Sequence, residues 1–303
     1  MKIGLNTGAV DTAVRDAREA EDLGFDYVGC GEHLFFHGPT ANAFVQLAAA
    51  AGATAHVRLV STITLLPLYP AALAAKQAAT LDRICGGRFE LGVGSGGEYP
   101  AEFEASGVDT AERFRRTDEA LEVMRRLFTG DRVSFDGEFT RLSDVALDPP
   151  PLQQPGPPVW LGGRKRGAMR RAGRFADVWM PYMMDPPKFR NSLEQVRAAA
   201  AEHGRGPGAV AGALFVWTCI DPDGDWARRT GIETVSNTYA QDFTPLADRY
   251  LLLGTPDDAA RRLAEFADAG ADRVLIQVAA PPADRQRVVD TVAAELLPRV
   301  ARS

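Results

Sequence analysis

The stretch DYVGCGEHLFFHG, residues 26–38, ends an apolar run in Gly-Cys-Gly and then sets Glu32, His33 and His37 within six residues. Two of the chain's four histidines therefore stand beside one carboxylate. Such a set can move protons or ligate a metal. A second stretch, WLGGRKRGAMRRAGRFADVW at 160–179, lets Gly162 and Gly163 leave an apolar run while Arg164, Arg166 and Gly167 open an amphipathic one. Free backbone N–H groups and a helix dipole would converge there, as phosphate binding requires, with an arginine adding a charge-assisted bond. The plainer reading of that stretch is a glycine turn before a solvated basic helix face. A third, LGVGSGGEYPAEF at 91–103, carries Gly94, Ser95, Gly96 and Glu98, and its glycines allow close backbone approach. In a fourth, VSTITLLPLYP, apolar residues run past a strand end; they suit a ring pocket or simple core packing.

These residues need elements to position them. Short apolar runs alternate with amphipathic ones, the pattern of βα units and a parallel sheet. KIGLN, DYVGC, RLVSTIT and RFELGVG read as strands, then VWLGG, DVWMP, AVAGALFVWTCI and DRVLIQ, which makes eight. The first helix, DTAVRDAREAEDLG, is expected to start on Asp11 as N-cap and stop at Gly24. Residues 130–157 break the rhythm with an Asp136-Gly137 hairpin turn and a proline-rich connector, so they read as an insertion. Segments 95–110 and 224–250 are further insertions. Eight such units close most simply into a (β/α)8 TIM barrel, one domain over 1–303. An open doubly wound sheet is less well supported, because no GxGxxG follows the first strand.

In a barrel the active site lies where the strands end. Asn6, Glu32, His33, His37, Ser61, Thr62, Thr64, Ser95, Glu98, Gly162, Gly163 and Arg164 all follow strands. This set is rich in donors and small residues and poor in carboxylates, which suits a flat, hydrogen-bonding ligand. A metal-dependent barrel using Glu32, His33 and His37 lacks further ligands at the strand ends, so no metal is expected.

Composition excludes other classes. With 46% hydrophobic and 24% charged residues the chain is globular. Its net charge of −6 argues against a nucleic-acid or anionic-membrane surface. Three scattered cysteines, no leader-like N-terminus and no long apolar span point to a reduced, cytoplasmic protein.

The stretches GFDYVGCGEHL, TITLLPLYPAALAAKQAATLDRICGGRFELGVGSG, EFEASGVDTAERFRRTDEALEVMRRLF, PPVWLGG with RRAGRFADVWMP, and GTPDDAARRLAEFADAGADRVLIQ together resemble the luciferase-like superfamily of flavin- and deazaflavin-dependent oxidoreductases. The nearest branch resembles actinobacterial enzymes that use coenzyme F420. The resemblance implies a usually dimeric (β/α)8 barrel with a deazaflavin, or alternatively FMN, in its mouth. It places His33 near the reactive ring face, with Glu32 as the neighbouring acidic position. A cis peptide at Thr62-Ile63, with Thr64, would back the ring. Gly94, Ser95 and Gly96 would form a wall, and Gly162, Gly163, Arg164, Arg166 and Gly167 would hold phosphate.

A deazaflavin exchanges hydride, so the protein must exclude water and move one proton. His33 is the candidate for that step or for polarising the substrate oxygen, Glu32 for orienting His33 or binding the ring's polar edge, and Glu98 and His37 stand behind them. His37 replaces the tryptophan of the family's sugar-phosphate dehydrogenases, and their catalytic glutamate falls at Gly97 or Glu98, which argues against that substrate. An FMN-dependent monooxygenase and a non-catalytic cofactor-binding barrel are the alternatives. The substrate is a small organic molecule that the sequence does not name.

Overall fold

The computed structural model describes residues 1–300. Its strands are β1 (Lys2–Asn6), β2 (Tyr27–Cys30), β3 (Arg58–Ser61), β4 (Thr64–Leu65), β5 (Phe89–Gly94) and β6 (Val133–Asp136), followed by β7 (Arg141–Val145), β8 (Val159–Leu161), β9 (Val178–Trp179), β10 (Ala211–Ile220), β11 (Leu252–Gly254) and β12 (Ala271–Val278). Hydrogen-bonded order runs β10-β12-β1-β2-β3-β5-β8-β9, and β9 pairs again with β10, which closes an eight-stranded ring. With helices between consecutive strands this is the (β/α)8 barrel. Strand β4 pairs outside the ring with β5, and β11 with β10, while β6 and β7 form a separate antiparallel pair.

Residue contacts gather into two compact units. The first contains Met1–Gly8, Glu19–Val28 and the chain from Gly162 onward. Within it β1 lies parallel to β12 with Ile3 opposite Val274, and β9 to β10 with Trp179 opposite Gly212. The helix Pro256–Asp268 starts with a capping box in which Thr255 and Asp258 satisfy each other's backbone N–H groups.

The second unit contains Ala9–Arg18 and Gly29–Leu161. Here β3 pairs with β5 at Leu59–Phe89, and β5 with β8 at Leu91–Val159. All six residues of β5 are buried, so it reads as a continuous apolar run rather than an alternating one. Ala74, Ala75, Ala78 and Ala79 are fully buried in the helix Ala71–Ile84, where small side chains permit close packing. Gln153 of the proline-rich connector donates from its backbone and side chain to the buried Asp82, and from its side chain to Phe89 O, pinning connector to helix and strand.

Several local expectations change. Asp11 is not an N-cap: residues Val10–Thr12 form a 3-10 turn and the helix proper is Ala13–Asp22, while Gly24 ends it at φ +84° as expected. The hairpin pairs Asp136 with Arg141, so its loop spans four residues rather than a tight two. The third strand is broken at Thr62-Ile63 into β3 and β4. Segment 95–110 contains the helix Pro100–Ala105. Among the described residues no helix is long and apolar enough to cross a membrane. The three cysteines are free and buried.

Candidate active site

In the second unit, β2 delivers Glu32 and His33 to its C-terminal end. Consecutive residues of an extended segment face opposite ways, and these two have separate partners. Glu32 is 6% exposed. It accepts hydrogen bonds from Ala43 N (3.0 Å), Leu65 N (2.9 Å) and Tyr69 Oη (3.0 Å). It thereby clamps the start of the helix Ala43–Ala51 and strand β4. Burial, the larger influence, raises its carboxyl above the usual glutamate range, while those donors pull it back. Burial and the Glu32 charge push the Tyr69 phenol up.

The sequence suggested Glu32 for orienting His33 or for binding a ring's polar edge; the carboxylate beside the His33 ring is Glu102. His33 Nδ1 lies 3.0 and 3.2 Å from the two Glu102 oxygens, and Leu34 N donates to Oε2 at 2.7 Å. Glu102, 1% exposed, comes from the helix Pro100–Ala105. Tyr-Pro-Ala-Glu is a helix start with Pro at its first position, a signal that could have marked this helix. Phe36 stacks on the His33 ring at 4.2 Å, and His37 meets Tyr99 edge-on at 5.6 Å. His33 Nε2 has no protein partner among the described residues. Glu98 is exposed, and the carboxylate paired with His33 lies four residues further on.

Next to this lies the β3–β4 break. The Thr62-Ile63 peptide is cis. A Cβ on Gly31 would stand 3.2 Å from Thr62 O, and one on Gly94 only 2.1 Å from Ile63 Cδ1, so only glycine leaves Ile63 room against β5. Thr64 is fully buried and its Oγ1 makes no hydrogen bond. Ser95 Oγ accepts from Thr117 Oγ1 at 2.9 Å, and Gly96 takes φ +58° over the Phe103 ring.

In the first unit, Asn6 Nδ2 donates to Gln277 at 3.1 Å and Asn6 O accepts from Arg285. Gly163, at φ +101°, accepts from Trp179 Nε1 at 3.0 Å. Arg164 is exposed, donates to Met183 O at 3.1 Å, and lies over the Tyr182 ring. Arg166 and Gly167 begin the helix Arg166–Phe175, whose N-cap residue Lys165 supplies no side-chain cap. Its first N–H groups are thus not taken by a capping side chain.

Taken unit by unit, the uncapped helix start amid arginines fits the anionic part of a cofactor, and Ile63, held against Gly94, fits a flat apolar ring. Among the described residues no three His, Cys, Asp or Glu side chains converge as metal ligands would.

Comparison with known proteins agrees with the fold. Residues 2–273 match the luciferase-like monooxygenase family, and the chain belongs to it. It is similar to the monooxygenase RslO1 of Streptomyces bottropensis, 27% identical over 98% of this chain and 99% of that one, with a TM-score of 0.86. An F420-dependent secondary alcohol dehydrogenase has the same fold, with a TM-score of 0.85 at 24% identity over 99% and 98%. An FMNH2-dependent dimethylsulfone monooxygenase of Pseudomonas putida is 36% identical over 50% of this chain and 42% of its own. The first curated relatives are mycobacterial proteins, 36% identical over 61% of this chain, and the match spans 63% of their length.

Proposed function

We propose that this member of the luciferase-like family is an oxidoreductase that uses coenzyme F420 to move hydride to or from a small organic substrate, an alcohol, a carbonyl or an activated double bond. The observation that carries the reading is His33, whose ring is fixed by Glu102 and Phe36 while Nε2 is left open. Bound F420 supplies a carbon that exchanges hydride. His33 Nε2 takes the proton from a substrate hydroxyl in oxidation and returns it to the carbonyl oxygen in reduction. Ile63, partly exposed and held against Gly94, supplies an apolar wall that keeps water out. In the other unit, Gly162, Gly163, Arg164, Arg166 and Gly167 are the candidates for phosphate. The run Arg164, Lys165, Arg166, Arg170, Arg171 and Arg174 favours the more anionic F420 tail over FMN.

An FMN-dependent monooxygenase is the second reading, supported by the Pseudomonas relative, which is named as FMNH2-dependent, and by the Streptomyces structure, which is named as a monooxygenase. Titration of the purified protein with F420 and with FMN, followed by absorbance and fluorescence, separates the two. F420 is expected to bind more tightly, with Arg164→Ala weakening it. Preference for FMN would replace the first reading with the second, and binding of neither would remove both.

A further inference from the structure

We infer that Glu102 is the positioning residue for His33: it holds the neutral imidazole as the Nδ1–H tautomer and so reserves Nε2 as the proton acceptor. This rests on the proposed part of His33 in the proton step.

The geometry leaves Glu102 no direct contact with a substrate. It is 1% exposed, and both oxygens are engaged by protein groups. A backbone N–H can only donate, and Leu34 N points at Oε2 from 2.7 Å, a charge-assisted distance. Glu102 is therefore an acceptor here. Nδ1 stands almost equally far from the two oxygens, 3.0 and 3.2 Å, which is how one N–H shared by a carboxylate is placed. The proton of a neutral ring then belongs on Nδ1. Phe36, stacked at 4.2 Å and 19°, opposes the ring turn that would exchange the nitrogens. The side chain is 23% exposed, enough for Nε2 to be reached. A carboxylate that fixes the tautomer of a working histidine is a general device; here it comes from a helix outside the barrel strands.

The test reads imidazole nitrogen and proton shifts in protein carrying 15N-histidine, with no cofactor added, at a pH where the ring is neutral. His33 is assigned by the signals lost in His33→Asn. The wild type is expected to carry its proton on Nδ1, far downfield. Glu102→Ala is expected to move the proton to Nε2. Glu102→Gln, whose carbonyl can accept the same bond, keeps the proton on Nδ1 but shifts it upfield. A wild-type ring protonated on Nε2 overturns the inference, as does an unchanged spectrum in either variant. If circular dichroism finds Glu102→Ala unfolded, the wild-type tautomer and the Gln shift still decide. With a cofactor and substrate in hand, Glu102→Ala should lower kcat by up to the worth of a positioned base, about 10²–10⁴-fold, at unchanged KM. Because the spectra need no cofactor, failure of F420 and FMN to bind would remove the functional reading while leaving the tautomer result intact.

Discussion

Glu32 faces four donors, from Ala43 N, Leu65 N, Tyr69 and Asn42, and only a carboxylate can receive them all. Glu32→Gln puts an NH2 group against a donor and is expected to cost about 1–3 kcal/mol, read as a lower urea midpoint. Its raised carboxyl also has a pH consequence. The native state holds this proton longer than the unfolded chain does. Its contribution is full below the unfolded value near 4.3 and declines as pH rises through the higher folded value. Wild-type stability should thus fall across that window, and the slope should flatten in Glu32→Gln; equal slopes would refute the assignment. Gly94→Ala tests the wall. The added methyl would stand 2.1 Å from Ile63 Cδ1 and 2.9 Å from Cγ1, so the whole side chain must move; cofactor affinity should fall about tenfold, with a stability loss of about 1–3 kcal/mol. The sequence pattern placed His33 at the end of a strand because apolar-to-polar punctuation is local. It did not reveal Glu102, because a pairing across 69 residues leaves no trace in spacing. Adjacency suggested Glu32 instead, and extended backbone turns neighbours apart.

At the scale of elements, two joints invite measurement. Gln153→Ala removes the donor to Asp82 Oδ1 and to Phe89 O, leaving a fully buried carboxylate with one fewer partner. A loss of about 1–3 kcal/mol is expected in chemical denaturation. Thr255→Ala breaks the capping box and should cost about 1 kcal/mol. Asp258, drawn down to about 2 chiefly by the Thr255 hydrogen bond, stabilises above its unfolded value near 3.9 and loses that effect as pH falls toward the folded one. The Thr255→Ala variant should therefore be less acid-sensitive than the wild type in that range. The eight ring strands were legible as apolar runs bounded by Gly, Pro and helix signals. The short strand β11 was not, since three residues carry no period of their own. The first helix began later than Asp11 suggested because a 3-10 turn precedes it.

For the whole molecule, the ring order follows from strands whose parallel pairing needs a crossover each time. A homodimer is the expectation at this scale. Val45 and Leu73, 70% and 49% exposed on the helices Ala43–Ala51 and Ala71–Ile84, are apolar side chains that such a contact would cover. Sedimentation should give about twice 32.6 kDa, and Val45→Asp should shift it toward one chain. A single-chain mass for the wild type would exclude the dimer. The group that would touch substrate rides on a barrel strand end, whereas the carboxylate that aims it rides on an added helix. Aim and scaffold are thus separately heritable: exchanging residues 95–110 between relatives could retune which way a proton is presented without rebuilding a single strand of the ring.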